Sequence, residues 1–110
     1  MIVHVAGVAM KVFLDDERVP PEGWIQVRRP EEAVELLKTG SVTEISLDHD
    51  LGDDAGRTGY DVILWIEEAV ASQGFAPPKI VVHSANPSAR QKMEAGMRNI
   101  YRIYEENLTS

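Results

Sequence analysis

With 110 residues, a formal charge of −7, 44% hydrophobic and 26% charged residues, the chain has the composition of a single water-soluble domain with one core. Its apolar runs are shorter than a membrane span, and its acidic balance argues against an extended duplex-binding surface, because counterion release needs clustered Lys and Arg. The absence of cysteine excludes disulfides and thiolate metal sites, and the expected compartment is the reducing cytoplasm.

Residues 1–9 are apolar, uncharged and too short for a secretory signal with its cleavage region. They read as an N-terminal extension or an extra strand ahead of one domain over residues 10–110. Lys11 to Leu14 is a short apolar strand of the parallel-sheet kind. Two prolines and a glycine make Arg18 to Gly23 a loop, and Trp24 to Arg28 alternates weakly, as an edge strand does. Pro30 opens a helix, with Glu31 and Glu32 at the positive end of its dipole and Ala33, Val34, Leu36 and Leu37 as its apolar face; Gly40 ends it.

Glu44 to Leu47 is the next buried strand, followed by a loop with three glycines from Gly52 to Gly59. Tyr60 to Ser72 carries a wide apolar helical stripe and stops at Gly74 and Pro77-Pro78. Lys79 to Val82 is another apolar strand. From Ser88 to about Glu106, Met93, Met97, Ile100 and Tyr104 repeat at helical spacing, despite the cost of Gly96. Alternation of this kind implies a parallel sheet with right-handed crossovers, in which the ends of the first, third and fourth strands share one rim and the Trp24 strand lies at an edge.

That rim is where the chemistry gathers. The first strand runs into Asp15-Asp16, the third into Asp48-His49-Asp50, and the fourth into His83-Ser84-Ala-Asn86. Ligands of open α/β sheets bind beyond the carboxyl ends of the strands, and carboxylates packed together there need a cation or a shared proton to relieve their repulsion. Asp15, Asp16, Asp48 and Asp50 are therefore candidate ligands of a hard divalent cation, Mg²⁺ or else Mn²⁺. Asp48, His83 and His49 are the candidate catalytic groups, the histidines as proton carriers. Arg18, Arg57 and Arg90 are candidates to hold anionic phosphate oxygens, and Ser84 and Asn86 offer neutral hydrogen bonds to the same group.

Several of these residues have an equally physical structural reading. Arg18 is placed to neutralise the acidic strand tip, Arg57 to face solvent from its loop, and Arg90 to be a helix-surface charge. Asn86 or Ser88 suits a helix cap. His83 is placed to be a hydrogen-bonded core histidine, and strand alternation sends it and Ser84 to opposite sides unless the chain turns.

A strand ending in an acidic pair, a second ending in a lone Asp and a third ending in Ser-Ala resemble the layout of response-regulator receiver domains. By that resemblance Asp15 and Asp16 correspond to the metal-binding pair, Asp48 to the phosphoacceptor and Ser84 to the hydroxyl that senses it. The receiver's last strand, ending in a phosphate-binding lysine, has no counterpart, since Lys11 and Lys79 lie at strand beginnings.

A closer resemblance spans Phe13-Leu-Asp-Asp-Glu-Arg18-Val-Pro, Ile45-Ser-Leu-Asp-His-Asp-Leu-Gly52, Gly59-Tyr-Asp-Val, Trp65-Ile and Val82-His-Ser-Ala-Asn-Pro87. The joint pattern is similar to the cyclic-phosphate processing receiver domain family. It implies a receiver-like, flavodoxin-like three-layer α/β fold with a reduced, mostly parallel four-stranded sheet. It also implies a role in handling cyclic phosphate on a nucleotide or RNA end. The alternative is a phosphoacceptor or a non-catalytic binding module.

Overall fold

The apolar segments become the strands β1 (Met10–Leu14), β2 (Ile25–Val27), β3 (Val42–Leu47) and β4 (Lys79–Val82), and the helical patterns become α1 (Pro30–Leu37), α2 (Gly59–Gln73) and α3 (Pro87–Thr109). The structure is a computed structural model, and it describes residues 9–51 and 56–109. Residues 1–8 of the expected extension or extra strand at 1–9, and residues 52–55 of the glycine-rich loop, lie outside the described residues.

All strand pairs are parallel, in the order β2-β1-β3-β4. The short β2 lies at an edge because it has only three paired residues to offer, while β1 and β3 fill the centre. β3 starts at Val42, slightly earlier than its apolar run suggests, because Val42 pairs with Met10 before a bulge restores the regular ladder.

Local signals set the helix ends. Pro30 starts α1, and the Glu32 carboxylate accepts the backbone N–H groups of Arg28 and Arg29 at 2.9 and 3.0 Å. α2 has a reciprocal cap: the Thr58 hydroxyl accepts the Tyr60 N–H at 3.1 Å, and Asp61 accepts the Thr58 N–H at 2.7 Å. It ends at Gly74 in the left-handed region, with φ of 67°. The Tyr101 hydroxyl fastens α3 to the start of β4 by donating to the Pro78 carbonyl at 3.0 Å and accepting the Ile80 N–H at 2.8 Å.

One set of alternating strand residues, Val12, Leu14, Val27, Ile45, Leu47, Ile80 and Val82, enters a core shared with Ala33 and Leu37 of α1, Val62, Ile63, Ile66 and Val70 of α2, and Met93 and Ile100 of α3. Gly96 permits this packing, since a Cβ there would lie 2.6 Å from Ile63 Cγ2. The cost of a glycine within the helix is thus offset by the close approach of α2 and α3.

The receiver-like α/β architecture and the four-stranded sheet agree with the sequence-based expectation; the sheet is wholly parallel, and the layering differs. The β2-α1-β3 and β3-α2-β4 crossovers advance in the same direction across the sheet, so equal handedness puts α1 and α2 on the same face. α3 packs beside α2. The β1–β2 connection advances the other way and carries no helix, because Pro20, Pro21 and Gly23 break it. The described residues therefore build two layers rather than three, and Phe13 and Ser46, though buried, stand outside the helix-covered core.

Candidate functional site

Phe13 of β1, Ser46 of β3 and Val81 of β4 form one register row across the sheet, on the face away from the helices. Two residues further along each strand, the same alternation brings up Asp15, Asp48 and His83. The ladder continues past the strand ends to hold this second row: Asp48 N–H donates to the Leu14 carbonyl at 3.0 Å, and His83 N–H to the Leu47 carbonyl at 3.0 Å. One ligand atom from each of Asp15, Asp48 and His83 lies within 4.8 Å of the others.

Asp15 is 1% exposed, and both of its oxygens accept hydrogen bonds. Its Oδ1 accepts the backbone N–H groups of Glu17 and Arg18 at 2.8 and 2.9 Å, closing a tight turn at the end of β1. Its Oδ2 faces His83 Nε2 at 3.0 Å. Burial alone would raise this carboxyl, but the N–H groups of Arg18 and Glu17 together with His83 outweigh it and hold the group below its ordinary value. Asp48, 8% exposed, goes the other way. Burial and then the charge of Asp15 push its carboxyl up, against His83, the His49 N–H and Arg18. The buried carboxylates thus carry the electrostatic tension that a cation would relieve.

His83 is held on every side. Its Nδ1 lies 2.6 Å from the Ser46 hydroxyl, and its ring stacks on Phe13 at 4.5 Å between centroids and 5° between planes. Arg18 Nη1 donates to the His83 carbonyl at 2.8 Å and lies 3.6 Å from Asp15 Oδ2, so Arg18 spans the two strand tips with its side chain half exposed.

Asp16 and Asp50 are outside the three-residue group; the Asp16 carbonyl accepts Arg28 Nη1 at 2.9 Å, and Asp50 Oδ1 pairs with His49 Nδ1 at 2.8 Å. Ser84 is buried, and its hydroxyl accepts the Asn86 N–H at 3.1 Å. The Asn86 side chain accepts the Ala89 N–H at 3.1 Å and so caps α3, in line with its structural reading. Arg57 pairs with Glu31 of α1 at 3.0 Å, and Arg90 pairs with Glu94 one turn along α3 at 3.3 Å.

Two residues escaped the sequence reading. Ser46 interrupts the apolar run Ile45-Ser46-Leu47 two residues before Asp48, a spacing that places both on one face and was the available signal. Gly59 packs the start of α2 onto the end of β3, where a Cβ would overlap the Asp48 carbonyl oxygen and touch Met93 Cε at 3.0 Å. Nothing local to Gly59 announces that approach.

The donor set fits a hard cation. Two carboxylates supply oxygen, the donor that Mg²⁺ and Mn²⁺ prefer, and Asp48 is raised first by burial and then by the like charge of Asp15, which such an ion would neutralise.

Neither a curated protein nor a solved structure gives a significant match. The family model for the cyclic-phosphate processing receiver domain matches residues 10–99, a span that includes every strand, the acidic row and most of α3. The chain therefore belongs to the cyclic-phosphate processing receiver domain family.

Proposed function

We propose that the chain hydrolyses a cyclic phosphate group, carried on a small nucleotide or an RNA end, with the help of Mg²⁺ or Mn²⁺ held at the rim of the sheet. The observation that carries this reading is the convergence of two buried carboxylates, Asp15 and Asp48, from neighbouring strand ends, with the Arg18 guanidinium beside them. Asp15 and Asp48 would hold the cation, which when bound supplies charge screening for the phosphate and a more acidic water.

Arg18 keeps Nη1 on the His83 carbonyl and presents the rest of its half-exposed guanidinium to a phosphate oxygen. His49 is the better candidate for moving a proton to the leaving oxygen. Its partner Asp50 occupies Nδ1 and orients the ring, whereas both ring nitrogens of His83 face protein groups. The acidic balance of the chain favours a small ligand or a strand end over a duplex.

The test is a panel of 2',3'-cyclic nucleotides, cyclic-ended oligonucleotides and ADP-ribose cyclic phosphate with Mg²⁺ or Mn²⁺. Ring opening by the native chain, lost with Asp48→Asn, supports the reading. If no cyclic ester opens while acetyl phosphate leaves an acid-labile phosphoryl group on Asp48, the chain is a phosphoacceptor instead.

A further inference from the structure

We infer that Ser46 and His83 form a positioning relay for Asp15, with His83 serving the carboxylate rather than ligating a cation or carrying a proton. This inference rests on the proposed function only in its account of what Asp15 is positioned for. An ionised carboxylate is an acceptor only, so the His83 nitrogen 3.0 Å from Asp15 Oδ2 carries a hydrogen and donates it. In the neutral ring Nδ1 is then the acceptor, and the Ser46 hydroxyl at 2.6 Å donates to it.

The ring has no freedom to turn to another task. Phe13 stacks against its plane, and the His83 main chain is tied on both sides, its N–H to Leu47 and its carbonyl to Arg18. The hydroxyl reaches the ring because Ser46 sits one strand over from Val81 in register, and His83 follows Val81 by two residues on the same face. Ser46 is itself buried, so water is poorly placed to replace it. Asp15 is thereby clamped at both oxygens, Oδ1 by the turn N–H groups and Oδ2 by His83. That leaves one lone pair, on Oδ2, within 4.8 Å of the Asp48 carboxylate. Outer partners of this kind commonly change metal affinity by about 10- to 100-fold when removed.

The experiment is ¹⁵N NMR of the histidine rings in the full chain, first free of divalent ions and then titrated with Mg²⁺, alongside Mn²⁺ affinity. For the native chain the expected result is a hydrogen on Nε2 of His83 that persists when Mg²⁺ is added. Loss of that hydrogen on Mg²⁺ binding would make His83 a ligand, and a hydrogen on Nδ1 alone would reverse the relay; either overturns the inference. Ser46→Ala should shift the Nδ1 resonance and weaken Mn²⁺ binding by about tenfold. Ser46→Thr, which keeps the hydroxyl, should restore both. An unchanged Nδ1 resonance in a folded Ser46→Ala chain also overturns it. A chain that binds no divalent ion would sink the proposed function, while the ring resonances would still decide the relay.

Discussion

His83 Nε2 lies 3.0 Å from Oδ2 of Asp15 across 68 residues of sequence, and this contact ties the tip of β4 to that of β1 over the intervening β3. Asp48, at the end of β3, sits within reach of both. The site is therefore a property of strand order. With β3 paired to both β1 and β4, a single register row contains all three groups.

Asp48→Asn removes a like charge from a buried pair while keeping the shape of the side chain. The cation-free protein should gain about 1 kcal/mol of stability, as relief of strain at a functional site commonly gives. The same change should abolish the stabilisation by Mn²⁺, which for the native chain reaches about 2.7 kcal/mol at a hundred times the Kd. Thermal unfolding with EDTA and with Mn²⁺ measures both effects; a variant still stabilised by the ion would remove Asp48 from the cation site.

The two aspartates should also respond to pH in opposite senses in the cation-free protein. The folded value of Asp15 lies below its ordinary 3.8, so the ionised form adds stability above that pH and loses it as pH falls through the lowered value. The folded value of Asp48 lies above 3.8, so its protonated form adds stability below that pH and loses it as pH rises through the raised value. In urea midpoints measured against pH, Asp15→Asn should flatten the acid limb and Asp48→Asn the decline on the other side. Parallel curves for all three proteins would refute both assignments.

At Gly59 an added methyl would overlap the Asp48 carbonyl oxygen, a backbone atom that cannot swing aside. Gly59→Ala should therefore push α2 off the end of β3, costing about 1–3 kcal/mol, and weaken Mn²⁺ binding through displacement of Asp48. Denaturation combined with ion titration checks this. Full ion affinity in the variant would show that the helix start does not position the carboxylate.

Gly96→Ala sets two effects against each other. Helix propensity favours alanine by about 1 kcal/mol, while overpacking against Ile63 Cγ2 at 2.6 Å costs about 1–3 kcal/mol. Net destabilisation is expected because the obstructing methyl group branches from Cβ and has little room to rotate away. The contact involves Ile63 and Tyr60 and none of Asp15, Asp48 and His83, so Mn²⁺ affinity should fall less than in Gly59→Ala. A gain in unfolding temperature would reverse the sign of this assignment.

Asn86→Ala removes the acceptor for the Ala89 N–H and should destabilise the chain by about 1 kcal/mol. Asn86→Ser preserves a capping oxygen and should recover most of the loss. If the serine variant is stable yet opens cyclic esters much more slowly, the Asn86 side chain contributes to the ligand as well as to the cap.

Hydrophobic periodicity and turn residues determine the elements of this chain one by one, since each strand or helix is specified by residues within a few positions of one another. The strand ends, the acidic residues on them and the family pattern were all legible on that basis. Asp16 appeared equivalent to Asp15 because sequence adjacency does not say which neighbour faces the row, and alternation across paired strands selects one; Asp50, two residues past Asp48 and beyond the end of β3, pairs with His49 instead. The double role of His83 and the part played by Ser46 depend on register between β3 and β4, and the tight seat of Gly59 depends on where α2 meets β3. Those are distances between segments far apart in the chain. They are decided only when the core face of the sheet closes on the helices and thereby fixes what its opposite face brings together.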